Sequence, residues 1–340
     1  MNMNNIDMFA EAARDVLVDQ CTPQVVRVIE AEGCNAPAAE ALWAHLEATG
    51  LADAMLSEEQ GGAGLEFGQT FGLLEQCGAH ALPLPLGESM VARSLLAQAK
   101  QVRPPGSIVL ARGQVLSDGG VYCAMVRSAQ VAHSVLVETA SDCRLLTVQG
   151  AHSAAQASAQ DAVLTWSREQ VQAAPVVAVT DAVDLRTLQA AVVAAQMAGA
   201  LGSVFQRTLQ YANERQQFGR PIGKFQAIQH QLAVMSEHVF AARMAAQLGC
   251  SSVGLQLDRL RVATAKARCS EAALAVAEFA HAIHGAIGFT QEYDLQLYTR
   301  RLHGWRQTAG SEAYWQRVAG EALMQHPGLT LDLVRRVTDL

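Results

Sequence analysis

Apolar residues along the first hundred positions return every three or four, the spacing of helices that bury one stripe. The pattern predicts helices in MFAEAARDVL and over 25–31 and 38–48, with Pro23 and the 33–37 stretch as boundaries. The GGAG at 61–64 reads as a flexible turn before a helix over 67–77, and Ser89 as the cap of another helix. Near residue 104 the texture changes. Pro104-Pro105-Gly106 breaks the helical pattern, and the period then falls toward two. SIVLARG, GVYCAMVRS, HSVLVET, CRLLTVQG, AVLTWS and PVVAVT are short β-rich runs, which predicts a small antiparallel β domain with AHSAAQASAQ (151–160) as loop. Helical spacing returns at Asp181. Asp181 or Asp184 caps a long helix to about 216, and others follow over 225–249, 257–284, 291–303 (capped by Thr290) and 311–324. The expected organisation is mainly α with a small β domain: 1–104 helical, 105–180 β, 181–340 a four-helix bundle.

Composition sharpens this picture. At 340 residues, 50% hydrophobic and only 17% charged, the chain can bury a large core and is not disordered. Abundant Ala with 5% aromatics suits close helix contacts through small residues. A net charge of -7 argues against nucleic acid as a partner. Seven scattered cysteines (21, 34, 77, 123, 143, 250, 269) include no CxxC pair, so no metal site or disulfide framework is expected, and free buried thiols suit a reducing cytoplasm. The start, MNMNNIDMFAEAARDVL, lacks the pattern of a signal peptide. The most apolar stretch, 188–204, contains Gln189 and Gln196 and reads as a buried bundle helix, so no membrane insertion is expected. GGAG lacks the G-x-G-x-x-G spacing of a dinucleotide fingerprint, and no strand precedes it.

The richest chemistry lies in YANERQQFGRPIGKFQAIQH (211–230). Arg215, Arg220 and Lys224 surround Phe218, and Gly219, Pro221 and Gly223 separate two helical patterns. Fixed cations, amides and an aromatic on a helix–helix corner suit an anionic ligand with a flat ring, or else a solvated surface.

With that stretch inside a bundle that follows a helical and a β region, the chain resembles the acyl-CoA dehydrogenase family. LSEEQGGAGLEFGQTFGLLEQCG, IHGAIGFTQEYDLQLYTRR and GSEAYWQRVAGEAL are similar to family elements in order and spacing. The resemblance implies FAD as cofactor, an acyl-CoA thioester as substrate, and electron-transfer flavoprotein as electron acceptor. It also implies cofactor-binding roles for Arg215, Gln217, Phe218, Gln226, Gly285 and Ala286. Arg215 would meet the pyrophosphate, Phe218 the adenine, and Gln226 and Gly285 the FAD of a neighbouring subunit.

The departures carry as much information. Where family members hold the catalytic glutamate, this chain has Thr308, and at the alternative position on the first bundle helix it has Gln189. Neither can accept a proton from carbon at neutral pH. Glu312 reads as a solvent-facing helix residue. The family's "TEPxxGSD" loop is absent from SIVLARGQVLSDGG, and Ala282 and Ala286 stand where Gln and Gly are frequent. The chain is similar to the short subunits of bacterial α2β2 acyl-CoA dehydrogenases, several of which serve degradation of steroid side chains or other bulky acyl-CoAs. The implied function is a subunit that relies on a partner chain's glutamate. The alternatives are an autonomous dehydrogenase with another base, as a homo-oligomer, or a non-catalytic assembly paralogue.

Overall fold

The computed structural model describes residues 3–33, 36–155, 160–180 and 182–339, so Cys34, Asp181 and part of the 151–160 segment lie outside the described residues. The chain forms two compact units: Met1–Leu73, Leu82–Gln189 and Ser252–Gln256 make the first, and Leu74–Ala81, Ala190–Ser251 and Leu257–Leu340 the second.

The first unit opens with helices α1 (Met3–Gln20), α2 (Pro23–Glu32) and α3 (Pro37–Ala48). The Thr22 side chain accepts from the Val25 N–H, and Pro23 fills the first turn, where its missing donor does no harm. α3 buries Ala39, Leu42, Trp43 and Leu46 at alternating steps of three and four. A 3-10 turn, Phe67–Thr70, runs into α4 (Phe71–Ala79). α5 (Leu86–Gln98) is buried from Leu86 to Leu96, polar residues included. Ser89 sits inside this helix rather than capping it. Its hydroxyl donates to the Ile108 carbonyl and accepts from the Ile108 N–H, both at 2.9 Å.

Among the described residues seven strands follow: β1 (Ile108–Arg112), β2 (Gln114–Val115), β3 (Val121–Val126), β4 (Ser134–Glu138), β5 (Cys143–Thr147), β6 (His152–Ala155) and β7 (Ala162–Trp166). They make two sheets, in the orders β1-β4-β5 and β2-β3-β7-β6. The sheets share a core that includes Val109, Cys123, Val135 and Trp166. Three expectations are corrected here. β1 and β4 pair in parallel, because the chain visits the second sheet before returning. His152–Ala155, expected as loop, pairs with β7. PVVAVT is no strand: its Val176 forms an isolated bridge with Arg144, and a short helix, α6 (Arg168–Ala173), precedes it.

The second unit is helical: α7 (Leu185–Glu214, its first turns in the first unit), α8 (Gln226–Cys250), α9 (Arg259–His284), α10 (Leu295–Trp305), α11 (Glu312–Gln325) and α12 (Thr330–Thr338). Asp184 opens α7 by accepting from the Arg186 N–H at 3.1 Å, Asp258 caps α9, and Ser311 caps α11. Thr290 does not cap α10. Its hydroxyl donates backward to the Ile287 carbonyl at 2.9 Å, and α10 starts only at Leu295. A Cβ on Gly199 would lie 1.9 Å from the Glu75 carbonyl oxygen, and one on Gly78 1.8 Å from that of Gln196. The backbones of α4 and α7 therefore touch, the close approach that the small-residue composition foretold. α7 and the Arg259–Phe289 stretch are long and apolar enough to cross a membrane, but 83% of the apolar window in α7 is buried, as in a core helix. The six described cysteines are buried free thiols, and burial pushes Cys123, Cys143 and Cys269 up to about 12.

Candidate functional site

The corner between α7 and α8 is a small hairpin, which the sequence pattern did not reveal. Strand β8 (Gln216–Gln217) pairs with β9 (Arg220–Pro221), and the Ile222 N–H donates to the Arg215 carbonyl at 2.8 Å. The two loop residues, Phe218 and Gly219, have φ of 52° and 77°, the left-handed pair of a type I′ turn. Glycine adopts this conformation freely, whereas an L side chain there costs about 1–2 kcal/mol. Phe218 does not recover that cost by burial: it is 88% exposed, with the Phe225 ring edge-on to it at a centroid distance of 6.1 Å. Core packing, the ordinary reason for an aromatic, does not explain it.

The cations divide into two kinds. The Arg220 guanidinium lies over the Phe225 ring at 4.2 Å. Arg215 and Lys224 are exposed and make no ion pair among the described residues. The neighbouring Glu214 is instead taken by Gln210, whose amide donates to it at 2.7 Å. Gln217 and Gln226 are exposed on the same corner, Gln226 at the start of α8.

A second stretch joins this corner within the same unit. The Tyr211 ring stacks on His284 at 4.4 Å, and the Tyr211 hydroxyl donates to the His284 carbonyl at 3.4 Å. Gly285 follows His284, caps α9 with φ 64°, and a Cβ there would meet no atom within 4 Å. Gly285 and Ala286 are exposed, with Phe289 71% exposed just beyond. Thus YANERQQFG and HGAIGF, over seventy residues apart, reach one end of the helical unit. Three histidines underlie the Gly285–Phe289 turn. Burial holds His281, His284 and His303 below the ordinary histidine range. His284 donates through Nδ1 to the Ala280 carbonyl at 2.7 Å and accepts at Nε2 from the Tyr293 hydroxyl at 3.1 Å. This arrangement leaves an open patch with free cations, an upright aromatic and an unobstructed glycine backbone. It fits an anionic ligand carrying a flat ring.

Neither Thr308 nor Gln189 is basic. Thr308 is 2% exposed, and its hydroxyl donates to the Gly304 carbonyl at 3.3 Å. Gln189 is buried, and its amide nitrogen donates to the Leu110 carbonyl at 2.8 Å and to Glu88 at 3.4 Å. Glu312, expected to face solvent, is half-buried and paired with Arg306 at 2.9 Å, so it is held away from other work. Sequence reasoning passed over Glu88. It is 1% exposed, burial raises its carboxyl above the usual carboxylate range, and the nearby Arg127 opposes that rise. The available signal was an acid inside the apolar run LPLPLGESMVARSLL. Among the described residues no cluster of His, Cys, Asp and Glu could hold a metal ion.

Helices leading into a two-sheet β region and then into a long bundle, with an exposed cationic corner on that bundle, define the acyl-CoA dehydrogenase fold. The comparisons agree. A model described as acyl-CoA dehydrogenase, C-terminal domain, matches residues 179–324, and one described as acyl-CoA dehydrogenase, N-terminal domain, matches residues 4–101. Acyl-CoA dehydrogenase IpdE2 of Mycobacterium tuberculosis is 30% identical over 307 residues, covering 87% of this chain and 90% of that one. The ChsE4-ChsE5 complex from Mycobacterium tuberculosis superposes with a TM-score of 0.81 at 22% identity, over 96% of this chain and 99% of that one. A variant of the Tcur3481-Tcur3483 steroid ACAD gives 0.80 at 24% identity, over 95% and 98%. The chain belongs to the acyl-CoA dehydrogenase family, and so to the oxidoreductases.

Proposed function

We propose that this chain is one subunit of an FAD-dependent dehydrogenase that introduces an α,β double bond into an acyl-CoA thioester, with the proton-abstracting glutamate supplied by a partner chain. The observation that carries this reading is the state of the two candidate base positions. Thr308 is buried and engaged, and Gln189 offers an amide. Neither side chain can take a proton from carbon, a step general-base catalysis requires.

The cofactor side supports the same reading. Arg215, Gln217 and Phe218 on the hairpin, with Gln226, Gly285 and Ala286, would hold the pyrophosphate and adenine of FAD, part of it belonging to a neighbouring subunit's site. FAD supplies the hydride acceptor. What this chain contributes is charge for the phosphates, a ring against the adenine, and backbone that allows close approach. Electron-transfer flavoprotein would be the electron acceptor, and the cytoplasm the place of work. One structural neighbour named as a steroid ACAD and one named as a ChsE4-ChsE5 complex favour a bulky acyl group and a paired, α2β2-like assembly.

Co-expression with a candidate acyl-CoA dehydrogenase-like partner chain that carries the glutamate tests this. The isolated chain is expected to show little turnover with an artificial electron acceptor and less than one flavin per chain. The complex should turn over acyl-CoA, and Arg215→Ala should lower its flavin content. Substantial turnover by the isolated chain would overturn partner dependence. Unchanged flavin absorbance in the variant would overturn the assignment of Arg215.

A further inference from the structure

Gln189 is held by a buried polar cluster that fixes which end of its amide is free. Glu88 on α5 accepts from the Leu110 N–H of β1 at 2.8 Å and from Arg127 at 3.3 Å. The Gln189 Nε2 donates both to Glu88 Oε2, at 3.4 Å, and to the Leu110 carbonyl, at 2.8 Å. Residues 88, 127 and 189 are 1%, 8% and 9% exposed, so the cluster is shielded from water. Two oxygen acceptors therefore converge on one end of the amide. That end must be the NH2, since a reversed amide would set three oxygens together. The other end, Oε1, accepts no hydrogen bond from a described residue. Oε1 is not sealed off from solvent, so a ligand can reach it, and its fixed orientation presents a ready acceptor.

We propose that Gln189 Oε1 is a specificity-determining acceptor for a hydroxyl on the acyl ligand, and that Glu88 is the residue that positions it. This rests on the reading above, in which Gln189 stands at the alternative base position and so faces the reacting carbons. The ligand class is an acyl thioester with a hydroxyl on or next to those carbons. No proton leaves carbon in this contact, so it selects a ligand without transforming it. Glu88 acts through Gln189. Its Oε2, with the Leu110 carbonyl, excludes the reversed amide. A glutamine at 88 can keep its own oxygen on the Leu110 N–H and the Gln189 amide, whereas an alanine removes that half of the exclusion.

The test is titration calorimetry of butyryl-CoA and 3-hydroxybutyryl-CoA into the full chain, alone and in its co-purified complex. The wild type is expected to bind the hydroxylated thioester about five-fold more tightly, the size of one net neutral hydrogen bond. Gln189→Leu should abolish that ratio while retaining butyryl-CoA binding. Glu88→Ala should reduce the ratio and Glu88→Gln, which keeps an oxygen on the amide, should restore it, a rescue that a merely structural role would not produce. If Gln189→Leu fails to fold, Gln189→Met, unbranched and adaptable, carries the same expectation. An equal affinity of the wild type for both thioesters would overturn the proposal. So would equal weakening of both by the Gln189 variants, which would mean that Oε1 takes an N–H of the pantetheine arm. Binding of neither thioester, in either form, would remove the reading beneath it as well.

Discussion

Phe218 shows how a single residue can separate stability from function. Its left-handed backbone and 88% exposure are both unfavourable for the folded chain by itself. Phe218→Asn converts the loop to Asn-Gly, the preferred type I′ pair. We expect the variant to gain about 1 kcal/mol, seen as a rise of about 2 °C in the unfolding midpoint, while flavin per complex falls. A variant that loses stability would mean that Phe218 packs in a way its exposure denies. At this scale the cations of the corner were legible in the sequence, since Arg215 and Lys224 are simply there to be read. The hairpin beneath them was not, because Phe at its first loop position hides the usual turn signature. The pairing of Glu88 was illegible for another reason: its partner Gln189 is 101 positions away, and nothing local announces the contact.

At the scale of elements, periodicity located the long helices well. The expected 225–249 is observed as Gln226–Cys250, and the helix expected over 257–284 as Arg259–His284. The end of α9 at Gly285 was also expected, since a glycine run supplies the positive φ that a helix end uses. Strand pairing was less accessible: β1 joins β4 in parallel because of where the intervening chain goes, and no local alternation encodes that. α12 was missed as well. It spans only nine residues and buries Leu333, too short a pattern to stand out. Helix contacts offer a sharp test. Gly199→Ala should destabilise the bundle by roughly 3 kcal/mol or prevent folding, since the new methyl meets the Glu75 carbonyl. Gly202→Ala, one turn further along α7 with nothing within 4 Å, should instead stabilise by about 1 kcal/mol through helix propensity. Chemical denaturation of both variants reads the contrast, and equal effects would disprove the close approach of α4 and α7.

At the scale of the whole molecule, pH dependence follows from buried titratable groups. Burial lowers His281, His284 and His303, so the unfolded chain binds protons more readily than the folded one just below the ordinary histidine value of about 6.5. Their contribution is present above that value and is lost as pH falls through the lowered ones. Glu88 has the opposite sign. Its raised carboxyl stabilises at low pH and loses that contribution as pH climbs above the ordinary carboxylate value. The urea midpoint should therefore fall between pH 7.5 and pH 5.5, and His281→Gln with His284→Gln should flatten the slope. A slope unchanged in that double variant would place its origin elsewhere.

The sequence by itself determined that this is a mainly helical protein with a small β region. It also determined the family, the cationic corner, and that Thr308 and Gln189 cannot serve as bases, because periodicity, turn chemistry and side-chain identity are properties of local strings of residues. Only the tertiary structure decided that Phe218 stands strained and exposed on a hairpin. Only it brought Tyr211 onto His284, closing the gap between two motifs, and buried Glu88 against Gln189, fixing the orientation of that amide. Each of those depends on which distant segments meet, and burial, orientation and shifted protonation arise only once they do.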